Sequence, residues 1–406
     1  MQYGLLGRTL GHSYSPRIHN MLGGYPYELF PVEPEELDDF LQNGSFDGVN
    51  VTIPYKKTVI PYCRALSDAA RAIGSVNTIL RGEDGFLYGD NTDADGFAAM
   101  VRGSGISPFG KKALVLGSGG ASLTVCHVLK EMGARQVVVI SRAGPDNYDN
   151  LDRHADGELV VNTTPVGMYP HTEASPVDLR RFPQCQGALD IIYNPARTRF
   201  LLQAEELGIP RAGGLTMLVG QAKKAAELFL ETQIPESRLA EVVSLLRRET
   251  ENLILIGMPG CGKTTVGRRL AQGLGRRFVD TDEEIEKEAG CTIPEVFTRE
   301  GEMGFRARET KVLARLGREG GLVIATGGGC VTRPENLPLL RQNGTLIFLK
   351  RDLAKLEREG RPLSQGGDLA AMYRTRLPFY QTFADKTVVN EGDPQQVAER
   401  IQEEWK

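Results

Sequence analysis

Short runs of β-branched and aliphatic residues recur along the chain, each followed by a stretch in which apolar positions return every three or four residues. The runs read GVNVTIP, KALVLGSGG, QVVVISR, ELVVNTTP and GALDIIYNP, then NLILIGMPG, LVIATGGG and TLIFLKR. Unbroken apolar strands alternating with amphipathic helices predict parallel sheets covered on both faces, the α/β class. Two glycine-rich strand-to-helix turns, at Gly117 and Gly257, lie too far apart to serve one site, so each predicts its own nucleotide-binding unit. Between them, ESRLAEVVSLLRRETEN is a charged amphipathic helix that runs into the strand LILIG without a Gly/Ser/Pro-rich spacer. The pattern therefore predicts two units, 1–248 and 249–406, with a short stiff junction near residue 249 and no internal repeat.

Composition narrows the ligands more than the fold. At 406 residues, 41% hydrophobic and 25% charged, the chain is an ordinary globular composition too long for one typical core. A net charge of -4 and a pI near 5.9 give no basic stripe for nucleic acid or an anionic membrane, which leaves small molecules as the expected ligands and no obligate protein partner evident. Six scattered cysteines form no CxxC pair, and nowhere do 18 apolar residues run together, so a reducing cytoplasm is the expected compartment.

In the second unit, GMPGCGKTT matches G-x-x-x-x-G-K-[ST] between an apolar strand and the helix TTVGRRLAQGL. Backbone N–H groups of Gly260, Cys261, Gly262 and Thr265 are expected to wrap phosphates, with Lys263 neutralising their charge and the Thr264 hydroxyl on Mg²⁺. FVDTD then places Asp280 and Asp282 at the end of the next predicted strand, two apart on one side of an extended chain. One carboxylate could organise Mg²⁺ and the other orient or deprotonate a hydroxyl. The plainer alternative, Asp282 as a helix N-cap, does not exclude that role. Arginines on separate segments, in GFRARE (Arg306), REGRPL (Arg361) and RTRLPFY (Arg376), suit an anionic ligand beyond ATP, although any one alone reads as a solvated surface charge.

These motifs, with TGGG (Gly327 to Gly329) between them, occur in the order that resembles shikimate kinase across about 150 residues. The resemblance implies ATP and Mg²⁺ as cofactors, with Thr264 and Asp280 toward the metal. It implies that Asp282 acts as base on a shikimate hydroxyl, that Arg306 and Arg376 grip the carboxylate, that Gly328 contacts the substrate, and that Arg361 closes from a lid.

In the first unit, KALVLGSGGASLTVCHVL reads as strand, glycine turn (Gly117, Ser118, Gly119, Gly120, Ala121) and helix, close to a dinucleotide fingerprint. The next strand ends in Ser141-Arg142 where NAD enzymes usually place an acid, which favours a 2′-phosphate and NADP; a surface arginine is the plainer reading. GHSYSP offers Ser13 and Ser15, NVTIPYK ends a strand with Lys56, GSVNT offers Asn77 and GDNTDADG offers Asp93. Each has a bland alternative: Ser15 and Asp93 as helix N-caps, Asn77 as a turn residue, Lys56 as a solvated lysine.

From GHSYSP through NTTPVGM to GGLTMLVGQA, this half resembles shikimate dehydrogenase. The resemblance implies a two-lobed fold with a substrate lobe (1–97 plus about 215–248) and an NADP lobe (98–214). It implies that Ser13, Ser15, Thr52, Asn77, Tyr193 and Gln221 bind 3-dehydroshikimate or shikimate, and that Lys56 and Asp93 form the catalytic pair. Ile191 and Gly214 would lie near the nicotinamide. Only about 20 residues separate Arg142 from Asn162, too few for a crossover helix and another strand, so the cofactor sheet is expected to lack an edge strand. The full expectation is an α/β chain: a two-lobed dehydrogenase with a shortened Rossmann-like NADP domain, then a P-loop kinase domain with a parallel sheet. The rival expectation keeps the kinase active and makes the first half a non-catalytic module that senses ligand.

Overall fold

The computed structural model describes residues 1–11, 13–356 and 368–405. It divides into two compact units, Met1–Leu246 and Arg247–Lys406. No helix among the described residues is long and apolar enough to cross a membrane.

The first unit holds two sheets. One is built from β1 (Tyr3–Gly7), β2 (Tyr27–Pro31), β3 (Gly48–Val51), β4 (Cys63–Leu66), β5 (Thr78–Arg81) and β6 (Leu87–Asp90), in the order β2-β1-β3-β5-β6-β4. This sheet is mixed, which corrects the expectation of parallel sheets throughout: β5 runs antiparallel to both β3 and β6. The reversal from β5 to β6 is local, because Gly85 adopts φ 78° in the short turn between TILR and LYGD.

The other sheet is wholly parallel, with β7 (Lys112–Leu116), β8 (Gln136–Ile140), β9 (Leu159–Asn162), β10 (Gly187–Asp190) and β11 (Arg211–Gly213) in the order β11-β10-β9-β7-β8. A dinucleotide-binding sheet has the order 3-2-1-4-5-6, so this one stops at its second strand. The link from β8 to β9 contains a 3-10 segment, Tyr148–His154, and no further strand. The last four residues of β7, Ala113 to Leu116, are fully buried, as a strand covered on both faces must be.

Two helices, Asp93–Ser104 and Leu215–Leu230, cross at glycines. A Cβ at Gly96 would lie 2.5 Å from the Met217 carbonyl oxygen, and one at Gly220 would lie 3.0 Å from the Gly96 Cα. The helix Glu236–Thr250 covers the second of them, packing Leu239, Val242 and Leu246 with Val219 and Ala222.

The second unit is one parallel sheet of β12 (Asn252–Ile256), β13 (Phe278–Asp280), β14 (Val323–Ala325), β15 (Gly344–Lys350) and β16 (Lys386–Val389), in the order β13-β14-β12-β15-β16. Its central strand β12 is buried at all five positions and feeds directly into the glycine-rich turn.

Candidate active sites

The turn after β12 owes its shape to three glycines at positive φ: Gly257 at 147°, Gly260 at 80° and Gly262 at 93°. A Cβ at Gly262 would lie 2.6 Å from Asn390 Nδ2, which itself donates to the Cys261 carbonyl at 2.6 Å. Lys263 opens the helix Lys263–Leu274, and its buried Nζ donates to the Gly257 and Met258 carbonyls at 2.9 Å each. The turn thus closes around its own lysine while helix-end N–H groups face outward, an anion site by construction.

The two aspartates that follow are arranged differently from the expectation. Asp280 is the last residue of β13, whereas Asp282 already lies in the helix Thr281–Ala289, so they are not on one extended strand. Asp280 is the N-cap, accepting from the Asp282 N–H at 3.0 Å with Oδ1, and its Oδ2 accepts from the Thr264 hydroxyl at 2.7 Å. Asp282 is therefore not the cap, and its side chain is left for other work. Its Oδ1 is buried without a partner, and burial, followed by the charges of Asp280 and Glu309, pushes its carboxyl up to about 7 against the pull of Lys263 and Arg306.

Arg306 is buried beside Glu309, its guanidinium donating to Glu309 Oε2 at 2.8 Å. Glu309 is itself fully buried, and its second oxygen has no partner. A Cβ on Gly327 would lie 2.6 Å from that oxygen and 3.0 Å from Asp282 Oδ1, which explains the glycine at this point. Arg376 donates to the Gly328 carbonyl at 3.2 Å, as does the Tyr380 hydroxyl at 2.5 Å. A cavity of about 440 Å³ brings Lys263, Thr264, Asp282, Arg306, Gly328 and Arg376 together. Arg361 lies outside the described residues. Asn390, which fixes the turn from a distant segment, carries no motif that sequence reading could use, whereas Tyr380, which fixes Gly328, closes the RTRLPFY motif without having been assigned a role.

In the first unit, Lys56 Nζ meets Asp93 Oδ2 at 2.6 Å across 37 residues of sequence. Lys56 sits in the turn after β3 rather than on the strand itself. Asp93 is the first residue of its helix and Ser15 the first of Ser15–Gly23, so neither is an N-cap; Thr92 and Tyr14 hold those places. Asn77 is buried and holds the turn before Asp93 from both ends of its amide, Oδ1 accepting from the Thr92 N–H at 2.7 Å and Nδ2 donating to Thr92 Oγ1 at 3.1 Å. Ser13 Oγ accepts from the Ser15 N–H at 3.1 Å. Tyr193, 40% exposed, stands edge-on to Tyr14 at 6.0 Å and so meets the Ser13–Ser15 loop. Gln221 lies against Gly96, one turn along from Asp93, and Thr52 follows β3 with its methyl over Gly7.

Gly117 follows β7 at φ 102°, with Gly119 and Gly120 opening the helix Gly120–Glu131 into clear space. Ser118 and Ala121 belong to the same turn, which stands where β7 and β9 diverge, the switch point of such sheets. Ser141 and an exposed Arg142 follow β8. Ile191 follows β10, and a Cβ at Gly214 would lie 2.0 Å from its carbonyl oxygen. Gly214→Ala is accordingly expected to lower the stability of the first unit by about 1–3 kcal/mol, read as an earlier thermal transition while kinase turnover persists; an unchanged melting profile would contradict the close contact.

A Lys–Asp pair beside a dinucleotide-type sheet, and a phosphate turn beside buried acid and arginines, define an enzyme with a two-lobed dehydrogenase unit and a P-loop phosphotransferase unit. Residues 5–79 match the family described as Shikimate dehydrogenase substrate binding domain, and residues 259–406 match Shikimate kinase. A shikimate dehydrogenase (NADP(+)) of Clostridium beijerinckii is 38% identical over 268 residues, covering 61% of this chain and 98% of the relative. One of Clostridium perfringens is 36% identical over 267 residues, covering 60% and 98%. Among solved structures, a chorismate mutase/shikimate 5-dehydrogenase fusion protein from Clostridium acetobutylicum gives a TM-score of 0.57 at 36% identity, covering 60% of this chain and 96% of that one. Shikimate 5-dehydrogenase from Thermus thermophilus, in complex with NADP(H) and shikimate, gives 0.54 at 34% identity, covering 60% and 98%. The chain belongs to the shikimate dehydrogenase family and carries a shikimate kinase domain behind it, which makes it a bifunctional enzyme of the shikimate pathway. The alignment to the C. beijerinckii relative, at 268 positions, is longer than the 246 residues of the first unit, in keeping with the short link between β8 and β9.

Proposed function

We propose that the first unit reduces 3-dehydroshikimate to shikimate with NADPH and that the second phosphorylates shikimate at its 3-hydroxyl with MgATP. The observation that carries the first reaction is the Lys56–Asp93 pair at 2.6 Å. Reduction of a ring ketone leaves negative charge on oxygen, and an ammonium beside it can both stabilise that charge and give up a proton. NADPH, when bound, supplies the hydride. Lys56 then protonates the carbonyl oxygen, and Asp93 orients the ammonium and accepts from a neighbouring substrate hydroxyl. Ser13, Ser15, Thr52, Asn77, Tyr193 and Gln221 hold the ring. The lobe formed by 1–97 and the residues from about 215 holds substrate; 98–214 holds cofactor.

The residues present fit that cofactor. The N–H groups from Gly117 to Ala121 suit a pyrophosphate, Ser141 and Arg142 the 2′-phosphate, and Ile191 and Gly214 the nicotinamide face.

In the second unit the buried, unpartnered Oδ1 of Asp282 supports a role as proton acceptor for the attacking hydroxyl. Arg306 and Arg376 bind the substrate carboxylate, beside Gly328. MgATP supplies the phosphoryl group and the metal's charge. The turn from Gly260 to Thr265 binds its phosphates through backbone N–H groups, with Lys263 on the outer ones. The Thr264 hydroxyl and the Asp280 carboxylate are hard oxygens beside the phosphate turn and fit Mg²⁺, which takes one or two protein ligands there. We place the enzyme in the cytoplasm, where its six scattered cysteines would stay reduced.

Purified full-length protein tests both halves. It should reduce NADP with shikimate at alkaline pH and consume shikimate with ATP. A rate no higher than that of Lys56→Ala in the first assay would leave the first unit a ligand sensor. For the kinase, Arg376→Ala is expected to raise the KM for shikimate roughly tenfold to a hundredfold, with the KM for ATP little changed. An unchanged shikimate KM would remove Arg376 from the carboxylate.

A further inference from the structure

The link that replaces the missing edge strand braces itself. The Ser141 N–H donates to the Asp146 carbonyl at 3.1 Å, closing a turn directly at the end of β8. Asn147 caps the 3-10 segment by accepting from the Asp149 and Asn150 N–H groups. Asn150 returns the bond, accepting from the Asn147 N–H at 2.9 Å and donating to the Pro145 carbonyl at 2.8 Å. Across this frame the buried His154 meets Asp146, its Nε2 lying 2.8 Å from Asp146 Oδ1.

Arg142, in the same turn, is exposed and in no ion pair among the described residues. Its charge reaches the Tyr148 phenol, opposing the burial that holds that group up, so the guanidinium lies on the side of the 3-10 segment. An acid at the end of the second strand favours NAD, because it accepts from the ribose 2′-hydroxyl and repels a 2′-phosphate, whereas an arginine does the reverse. This turn contains both. Asp146, whose backbone closes on Ser141, has its carboxylate turned to His154.

We propose that His154 is a cofactor-selectivity residue: by holding Asp146 in a hydrogen-bonded clasp it keeps that carboxylate from Arg142 and from the adenosine 2′ position, and so favours NADP over NAD. The inference rests on placing the cofactor at Gly117 and Arg142. In a longer sheet a further strand and helix would fix this turn; here the turn is braced from within, and the Asp146 carboxylate is held by a side chain eight residues on. Freed from His154, the Asp146 carboxylate would compete with a phosphate for Arg142 and offer an acceptor to a ribose hydroxyl.

The test is the ratio of kcat/KM for NADP to that for NAD, with shikimate as co-substrate and full-length protein. His154→Leu should lower the ratio about tenfold, with the shikimate KM and the kinase rate unchanged, because it frees one charge at the cofactor's adenosine end. His154→Gln, which keeps a donor at the reach of Nε2, should preserve the ratio. Asp146→Asn added to His154→Leu should restore it. If the leucine variant loses all dehydrogenase activity, His154→Asn, polar but too short for the clasp, should show the same fall. A merely structural histidine would lower the rate with both cofactors equally, and an unmoved ratio in His154→Leu beside a lowered ratio in Arg142→Ala would overturn the inference alone. A ratio unmoved by Arg142→Ala would overturn the cofactor placement and the inference with it.

Discussion

Asp282→Asn is expected to cut kinase turnover by about a hundredfold to ten-thousandfold, while dehydrogenase turnover of the same polypeptide stays within about twofold. The substitution conserves shape and removes only the proton acceptor. Stability should move the other way, which separates lost chemistry from lost folding. A carboxyl raised in the folded state to about 7 binds its proton more tightly there than in the unfolded chain. Its contribution is fully present below the ordinary carboxylate range and is lost as pH rises through about 7. Above that pH the wild type carries a buried, unfavourable charge that asparagine lacks. Nucleotide-free Asp282→Asn should therefore melt no earlier than wild type at pH 8. An earlier transition, or a turnover loss below tenfold, would remove Asp282 from the role of base.

The complementary experiment is Lys56→Met, which keeps the aliphatic stem and deletes the ammonium. Dehydrogenase turnover should fall by about a hundredfold to ten-thousandfold, in line with loss of a general acid. The kinase rate provides an internal measure of intact protein. Asp93 would lose its 2.6 Å partner, but its side chain is 19% exposed and can draw on water, so the first unit should remain folded. A shikimate KM that rises while kcat stays constant would make Lys56 a binding residue and leave the proton donor to be found elsewhere.

What was legible in the chain depended on whether the chemistry was local. The phosphate turn at Gly257 to Thr264 and the turn at Gly117 were readable because strand, glycines and helix are consecutive. The parallel order of the second and third sheets followed from the same alternation. The first sheet escaped, since the four-residue strands β5 and β6 look alike whether they run parallel or reverse at Gly85. Asp280 and Asp282 were visible as a pair, but which of them caps the helix depends on where β13 ends, and no periodicity marks a boundary to one residue. Long-range partners were the least visible. Asn390 holds the Cys261 carbonyl across 129 residues, and nothing in TVVNEG announces it. The Asp146–His154 contact left no trace in the sequence, because His154 is brought back by a 3-10 segment that the composition of the link does not signal.

The division between the units falls inside a helix, Glu236–Thr250, with a single residue before β12 begins at Asn252. A protease needs several residues of extended, accessible chain, and this stretch offers none. The two activities are thus synthesised and degraded as one molecule, at a fixed stoichiometry of one to one. More copies of this polypeptide raise both activities together. Within this polypeptide the balance of flux through the pair is therefore set by the kinetic constants of the two sites.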